Sequence, residues 1–406
     1  MLFRDIRLID GVAPEVRSGM DVLIASDRIA AVEPHDPGRP PPADTAIIEG
    51  AGRTLLPGLI DCHAHYTFDP AEGSLAAIAR RSDAEIAFMA ARHAARALRA
   101  GITTARGAGS IRNLEVALRD AIAAGRVPGP RMVVAGTAIG ITGGHGFQFG
   151  IEADSRDELV TATRRVIRDG ADVVKVVASE AAMLTTTGLA PGRMVFGAPE
   201  LTEDELRAIV EAAAELRIKV MSHAQDTESV TRSARAGVAS VEHAWLADER
   251  AIEALAGSGA FLVPTLVVTD VNRTLDGLTP AQRERQDLIE RRHRASTEAA
   301  IRLGVPVATG TDTGEVGVTA DMVWREIALV HDHGASPMAA IQAATSAAAH
   351  LLGAADVTGT VQPGHAADLV LVDGDPLADL GRLAHPRLVV QGGRIVHDAG
   401  VTRPDA

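Results

Sequence analysis

Five side chains in this sequence have the types and placement to hold metal ions, His63, His65, His223, His243 and Asp312, and a sixth residue, Lys175, stands at an equivalent place. His63 and His65 stand two apart in "PGLIDCHAH". In a β-strand that spacing puts both imidazoles on one face, where their ring nitrogens can share a cation. His223 in "VMSHA" and His243 in "VEHAW" each close a short apolar run, and Asp312 in "VATGTDTG" ends another. Alone, each has a plainer reading, as a satisfied core histidine or a helix N-cap. Together, at equivalent places in separate runs, they point to one shared centre.

Lys175 is the odd member. It sits in "ADVVKVVASE", between Val173, Val174, Val176 and Val177. Such a β-branched run reads as a strand buried on both faces, where an ammonium is costly. Either the lysine snorkels out or pairs with an acid, or its charge is removed by chemistry.

Other residues are candidates for substrate contact. His145 in "ITGGHGFQFG" lies between glycines that let backbone approach a ligand closely. Arg106 has the fork geometry for a substrate carboxylate, or equally for an internal ion pair. Tyr66, next to the histidine pair, is either a hydrogen-bond donor or packing. Gln225 in "HAQD" is a further substrate-binding candidate. Cys62 immediately precedes His63 and so falls on the opposite strand face.

Stepping from residues to elements, eight short apolar runs alternate with Ala-rich amphipathic stretches: "TLLPGLIDCHAH", "GITTARGAG", "RMVVAGTAIG", "DVVKVVAS", "IKVMSHA", "SVEHAW", "AFLVPTL" and "VPVATGTDTG". Helices are expected at 83–99, 111–124, 155–169, 203–217 and 284–303. This alternation predicts an α/β fold, a (β/α)8 TIM barrel over 58–357. A doubly wound open sheet is the alternative, weakened by the lack of G-x-G-x-x-G after the first strand and of a Walker A motif. Both ends of the chain read as short strands with turns between them. They predict a small β-sandwich domain built from 1–57 and 358–406. In a barrel of this kind the active groups sit where strands end, which is where the six residues fall. Loops 142–150, 180–200 and 268–285 would then set specificity, and 180–200 has the length and glycine content of a lid.

Composition narrows the partners. With 53 acidic and 40 basic residues the net charge is −13, which disfavours nucleic acid and anionic membranes. A single cysteine excludes an internal disulfide framework and a multi-cysteine metal site. No signal-peptide pattern and no apolar run of about 18 residues is present, so a cytoplasmic protein acting on a small molecule is expected. The Ala-rich helix surfaces permit a homo-oligomer.

These motifs resemble the metal-dependent amidohydrolase superfamily across nearly the whole chain. "PGLIDCHAH" is similar to its first-strand motif, Lys175 to its strand-four lysine, His223 and His243 to the strand-five and strand-six ligands, and Asp312 to the strand-eight aspartate. "TGGHG" most resembles the imidazolonepropionase-related group, which includes Xaa-Pro dipeptidases. The resemblance implies two divalent cations, zinc first, with Lys175 carbamylated by CO2 and a hydroxide as bridges. His63, His65 and Asp312 would hold one cation, and His223 and His243 the other. Capture of CO2 needs the neutral amine, which burial favours. Asp312 would act as general base and then acid, with His145 assisting. The implied activity is hydrolysis of C–N bonds in dipeptide or N-acyl amino acid substrates. A cyclic amide or imidazolone hydrolase, a deaminase, and a catalytically inactive barrel scaffold are the alternatives.

Overall fold

The computed structural model describes residues 1–50, 52–72, 75–180 and 198–401. The proposed lid at 180–200 therefore lies almost wholly outside the described residues.

The middle of the chain forms a closed barrel of parallel strands. Leu59–Ala64, Ile102–Gly107 and Arg131–Val134 make a three-stranded sheet. Gly150–Glu152, Ala138–Gly140, Val173–Val177, Lys219–Asp226, Ser240–Leu246 and Phe261–Val263 make a six-stranded one in that order. Two seams join them. At one, the Asp172 amide donates to the Val134 carbonyl at 2.7 Å. At the other, the stretch 305–313 bridges both sheets: Ala308 N donates to Leu262 O at 3.0 Å, and Cys62 N to Thr309 O at 2.8 Å. The eighth expected strand is thus present as a hydrogen-bonded seam, not as a regular ladder.

Side-chain parity sorts the strands' residues into two layers. Val174, Val176, Val220, Val241 and Leu262 face outward into a core shared with Leu159, Leu206, Ile209, Ile252 and Leu255 of the surrounding helices. Val173 and Met221 face inward, with Ala108 and Ala135. Lys175 shares the inward face with Val173.

The helices form where local sequence dictates. Asp83–Arg99 starts at Ser82, whose hydroxyl accepts from the Glu85 amide while the Glu85 carboxylate accepts from the Ser82 amide. That reciprocal cap satisfies two end donors. The helix buries Ile86, Met89, Ala90, His93, Ala94 and Ala97, a stripe at three- and four-residue spacing. The stretch 268–285, expected as a loop, is mostly helical instead. Leu266–Arg273 and Pro280–Arg302 occupy it, the second opened by a Thr279/Gln282 capping box with proline in the first turn.

Strands from both termini join in one eight-stranded sheet, in the order Arg394–Asp398, Leu388–Gln391, Leu369–Asp373, Arg53–Pro57, Leu2–Leu8, Arg17–Ala25, Arg28–Pro34, with Ile47–Glu49 also paired to Leu2–Leu8. Its path curls back on itself, since Ile29 N donates to His365 O and Gly393 N to Ala367 O. Leu369 and Leu371 face its own core, while the alternate Val370 and Val372 pack into the barrel's. The run "TLLPGLIDCHAH" is split: Arg53–Pro57 belongs to this sheet and Leu59–Ala64 to the barrel.

Candidate active site

The strand ends bring His63, His65, Lys175, His223, His243 and Asp312 to one cavity, together with His145, Gln225 and Glu315. His63 Nε2 and His65 Nε2 each lie 3.4 Å from Asp312 Oδ1. The His63 and His243 rings are 4.9 Å apart and those of His223 and His243 4.6 Å. Lys175 Nζ is 3.5 Å from His63 Nε2.

Unusual backbone delivers two of these groups, His243 and Asp312. His243, Ala244, Thr265 and Asp312 all have left-handed φ, at 74°, 52°, 56° and 58°. Non-glycine residues rarely adopt this region, and such strain collects where a site demands a particular aim. In a regular strand Glu242 and His243 would point to opposite faces. The turn at His243 and Ala244 lets Glu242 reach inward to His63 while His243 still reaches the cavity. Thr265, equally left-handed, places its hydroxyl 2.8 Å from His243 Nδ1.

Burial disfavours the charged form of all four imidazoles. Burial pushes His63, His223 and His243 well below the usual histidine range, and His65 down to about 3, with the nearby Lys175 charge adding to the shift at His63 and His65. His65 Nδ1 donates to the Gly109 carbonyl at 2.8 Å, which leaves Nε2 unprotonated. His63 Nδ1 lies 2.7 Å from Glu242 Oε2, which fixes its tautomer in the same way. His223 Nε2 is buried with no hydrogen-bond partner among the described residues. Burial raises Asp312 above the ordinary carboxylate range, helped by Glu315 close by. Burial lowers Lys175 to about 8, against the pull of Glu242 and Asp312.

This donor set fits a divalent cation: unprotonated ring nitrogens, a carboxylate and an orphaned buried nitrogen. The donor atoms of His63, His243 and Asp312 all lie within 4.8 Å of one another. That trio draws from both of the ligand sets expected from the sequence, so the two sets form one continuous cluster.

Arg106 is not at the cavity. Its guanidinium is enclosed, donating to Glu242 at 2.9 and 3.0 Å, to Ser240 Oγ at 3.0 Å and to the Cys62 carbonyl at 2.6 Å. Of its two expected roles the internal ion pair is the one the structure shows, and no fork remains for a substrate carboxylate. Tyr66 is also turned away: its ring is buried in the core with Trp245 and Leu266, and its hydroxyl has no hydrogen-bond partner among the described residues. His145 lines the cavity with its ring 4.7 Å from that of His223, and burial lowers it to about 4. Gln225 lines it too. Cys62 packs outside the barrel against Ile60, Val263 and Ala348.

Three acids escaped sequence reasoning. Glu242 anchors both His63 and Arg106. Glu315 enters the cavity three residues past Asp312. Asp61 accepts from the Thr311 amide and hydroxyl at 3.0 and 2.6 Å, tying the first strand to the seam that carries Asp312. An acid inside an apolar run, as in "SVEHAW" and "GLIDCHAH", was the available signal.

Comparison with known proteins agrees with this geometry. The amidohydrolase family model matches residues 54–396. The chain is 30% identical to the ochratoxinase of Aspergillus niger over 384 residues, 86% of this chain and 76% of that one. A crystal structure of a Xaa-Pro dipeptidase with bound methionine in its active site superposes with a TM-score of 0.85 at 28% identity, covering 97% of this chain and 98% of that one. A prolidase solved with N-methylphosphonate-L-proline gives 0.84 at 27% identity over the same shares. No helix among the described residues is long and apolar enough to cross a membrane.

Proposed function

We propose that this chain, which belongs to the amidohydrolase family, cleaves the amide bond of a dipeptide-like or N-acyl amino acid substrate at a centre of two divalent cations. Hydrolysis of C–N bonds is common ground with the ochratoxinase it resembles, and the dipeptidase and prolidase among similar structures point to amides of amino acids. The observation that carries the reading is the convergence of four neutral imidazoles, Asp312 and Lys175 on one cavity. An inactive scaffold has no use for such a costly cluster of buried polar groups.

His63, His65, His223, His243 and Asp312 would hold the cations, with Lys175 between them as a carbamate. Zinc suits these nitrogen and oxygen donors. Bound there, the cations would supply an acidified water and a polarised carbonyl. The chain's own groups do the rest. Glu242 and the Gly109 carbonyl hold His63 and His65 in the tautomers that face inward. Asp312, beside His63 and His65, would take the nucleophile's proton and return it to the leaving nitrogen. His145 and Gln225, on the cavity wall, would orient the substrate's polar groups.

Metal analysis of the purified protein, joined to an amide-hydrolysis assay before and after chelation, tests the reading. Two equivalents of divalent metal and metal-dependent cleavage are expected. Full activity in metal-free protein overturns it.

A further inference from the structure

We propose that the cavity beside His65 is a subsite for a large, uncharged apolar group of the substrate, aromatic or branched aliphatic. This rests on the amide-hydrolase reading above and narrows its substrate. Four residues build the wall. The Phe68 ring lies flat on the His65 imidazole, with centroids 4.6 Å apart and planes 5° from parallel. Phe149 stands edge-on to both, 5.3 Å from Phe68 and 6.2 Å from His65. Leu75 and Ile78, one turn apart on the short helix Leu75–Ala79, line the same cavity.

The backbone is shaped to admit these rings. At Gly146, with φ of +72°, a Cβ would stand 2.6 Å from the Phe149 ring. At Gly314, with φ of +109°, it would stand 2.8 Å from the Phe68 Cβ. The wall is therefore placed against a ligand histidine by two positions at which only glycine fits.

Charge completes the argument. Among the described residues lining the cavity, Lys175 is the one lysine or arginine, and it belongs to the ligand cluster. Arg106 is enclosed by Glu242 and Ser240. Among the described residues, an anionic substrate group entering the wall would lose its hydration and meet no cation but Lys175, and a cationic one would find carboxylates only at Asp312 and Glu315, away from the wall's rings. An apolar group loses nothing and gains contact with two rings and two aliphatic side chains.

The test is kcat/KM of the metal-loaded enzyme on two matched series of N-acyl amino acid amides. The group on one side of the scissile bond, then the other, runs through Gly, Ala, Leu, Phe, Asp and Lys. On one side Leu or Phe should exceed Ala by at least about tenfold, with Asp and Lys below Ala. Leu75→Asp should shrink that ratio by roughly fivefold or more, mainly through KM. Ile78→Ala should shrink it too. A preference for Asp or Lys on both sides, or an equal fall for every substrate in Leu75→Asp, overturns the subsite. If no amide is cleaved, the hydrolase reading fails by itself, and calorimetry judges the subsite separately. Tighter binding of N-acetylphenylalanine amide than of N-acetylglycine amide, weakened by Leu75→Asp, upholds it; equal binding overturns it.

Discussion

Arg106 and Lys175 both project into the barrel interior, 2% and 3% exposed, but the layers around them are built on different terms. Around Arg106 every donor has a destination: both carboxylate oxygens of Glu242, the Ser240 hydroxyl and the Cys62 carbonyl. Ser240 in turn donates to Glu242 at 2.5 Å. Such a network keeps a buried charge ionised and fixed. Around Lys175 the nearest hydrogen-bonding atom among the described residues is a histidine nitrogen at 3.5 Å. No carboxylate among the described residues pairs with it, and burial lowers the amine to about 8. One layer is a finished structural device, whereas the other holds a group whose charged form is poorly served. A cation left in that condition is suited to react, and the carbamate would turn it into an anion facing cations.

The sharpest way to break this contrast is Lys175→Ala. Losing several kcal/mol of transition-state stabilisation corresponds to roughly a thousandfold fall in kcat/KM. Short-chain carboxylic acids should restore part of the activity, because they can occupy the place of the carbamate. A variant within tenfold of the parent enzyme would show that Lys175 is as structural as Arg106.

The opposite layer is probed by Arg106→Met, which strands Glu242 as a buried charge. Denaturant unfolding should show a loss of about 3–5 kcal/mol, and Arg106→Met with Glu242→Leu should recover most of it. If the double variant is no better than the single one, the pair is not acting as a unit. Glu242→Gln keeps the shape but weakens the hold on His63. Metal affinity should fall about 10- to 100-fold, measured by competition with a chelator. Smaller still, Ser240→Ala removes one hydroxyl from the network at a cost of about 1 kcal/mol.

Titration probes the Lys175 layer. Lys175 binds its proton less tightly in the folded metal-free protein than in the unfolded chain. The unfolded state therefore holds more protons between about pH 8 and 10.5, and stability conferred at this position rises with pH across that window. The difference between parent and Lys175→Met unfolding curves should show that slope, and a flat difference would remove the case for a strained ammonium.

The ligand cluster was legible because strand parity is simple. Residues two apart share a face, and every expected ligand except the left-handed His243 and Asp312 follows that rule. The barrel was legible from eight apolar runs, although the last closes the structure by scattered hydrogen bonds that no propensity marks. The role of Arg106 stayed open in the sequence because its partner lies 136 residues away and adjoins His243, where only the left-handed turn at His243 and Ala244 allows both side chains to serve the interior. Nothing in "VEHAW" announces that turn, since no glycine marks it. The loop expected at 268–285 is a different case. Its Thr279–Pro280 start and Gln282 carried a helix signal, and the charged sequence around them obscured it.

The two-cation centre depends on the state of Lys175. A crystal structure of the enzyme grown with zinc and bicarbonate, with anomalous data at the zinc edge, tests it directly. The account predicts planar density extending beyond Nζ and touching two anomalous peaks, one among His63, His65 and Asp312 and the other beside His223 and His243. A bare ammonium beside a single peak would contradict it.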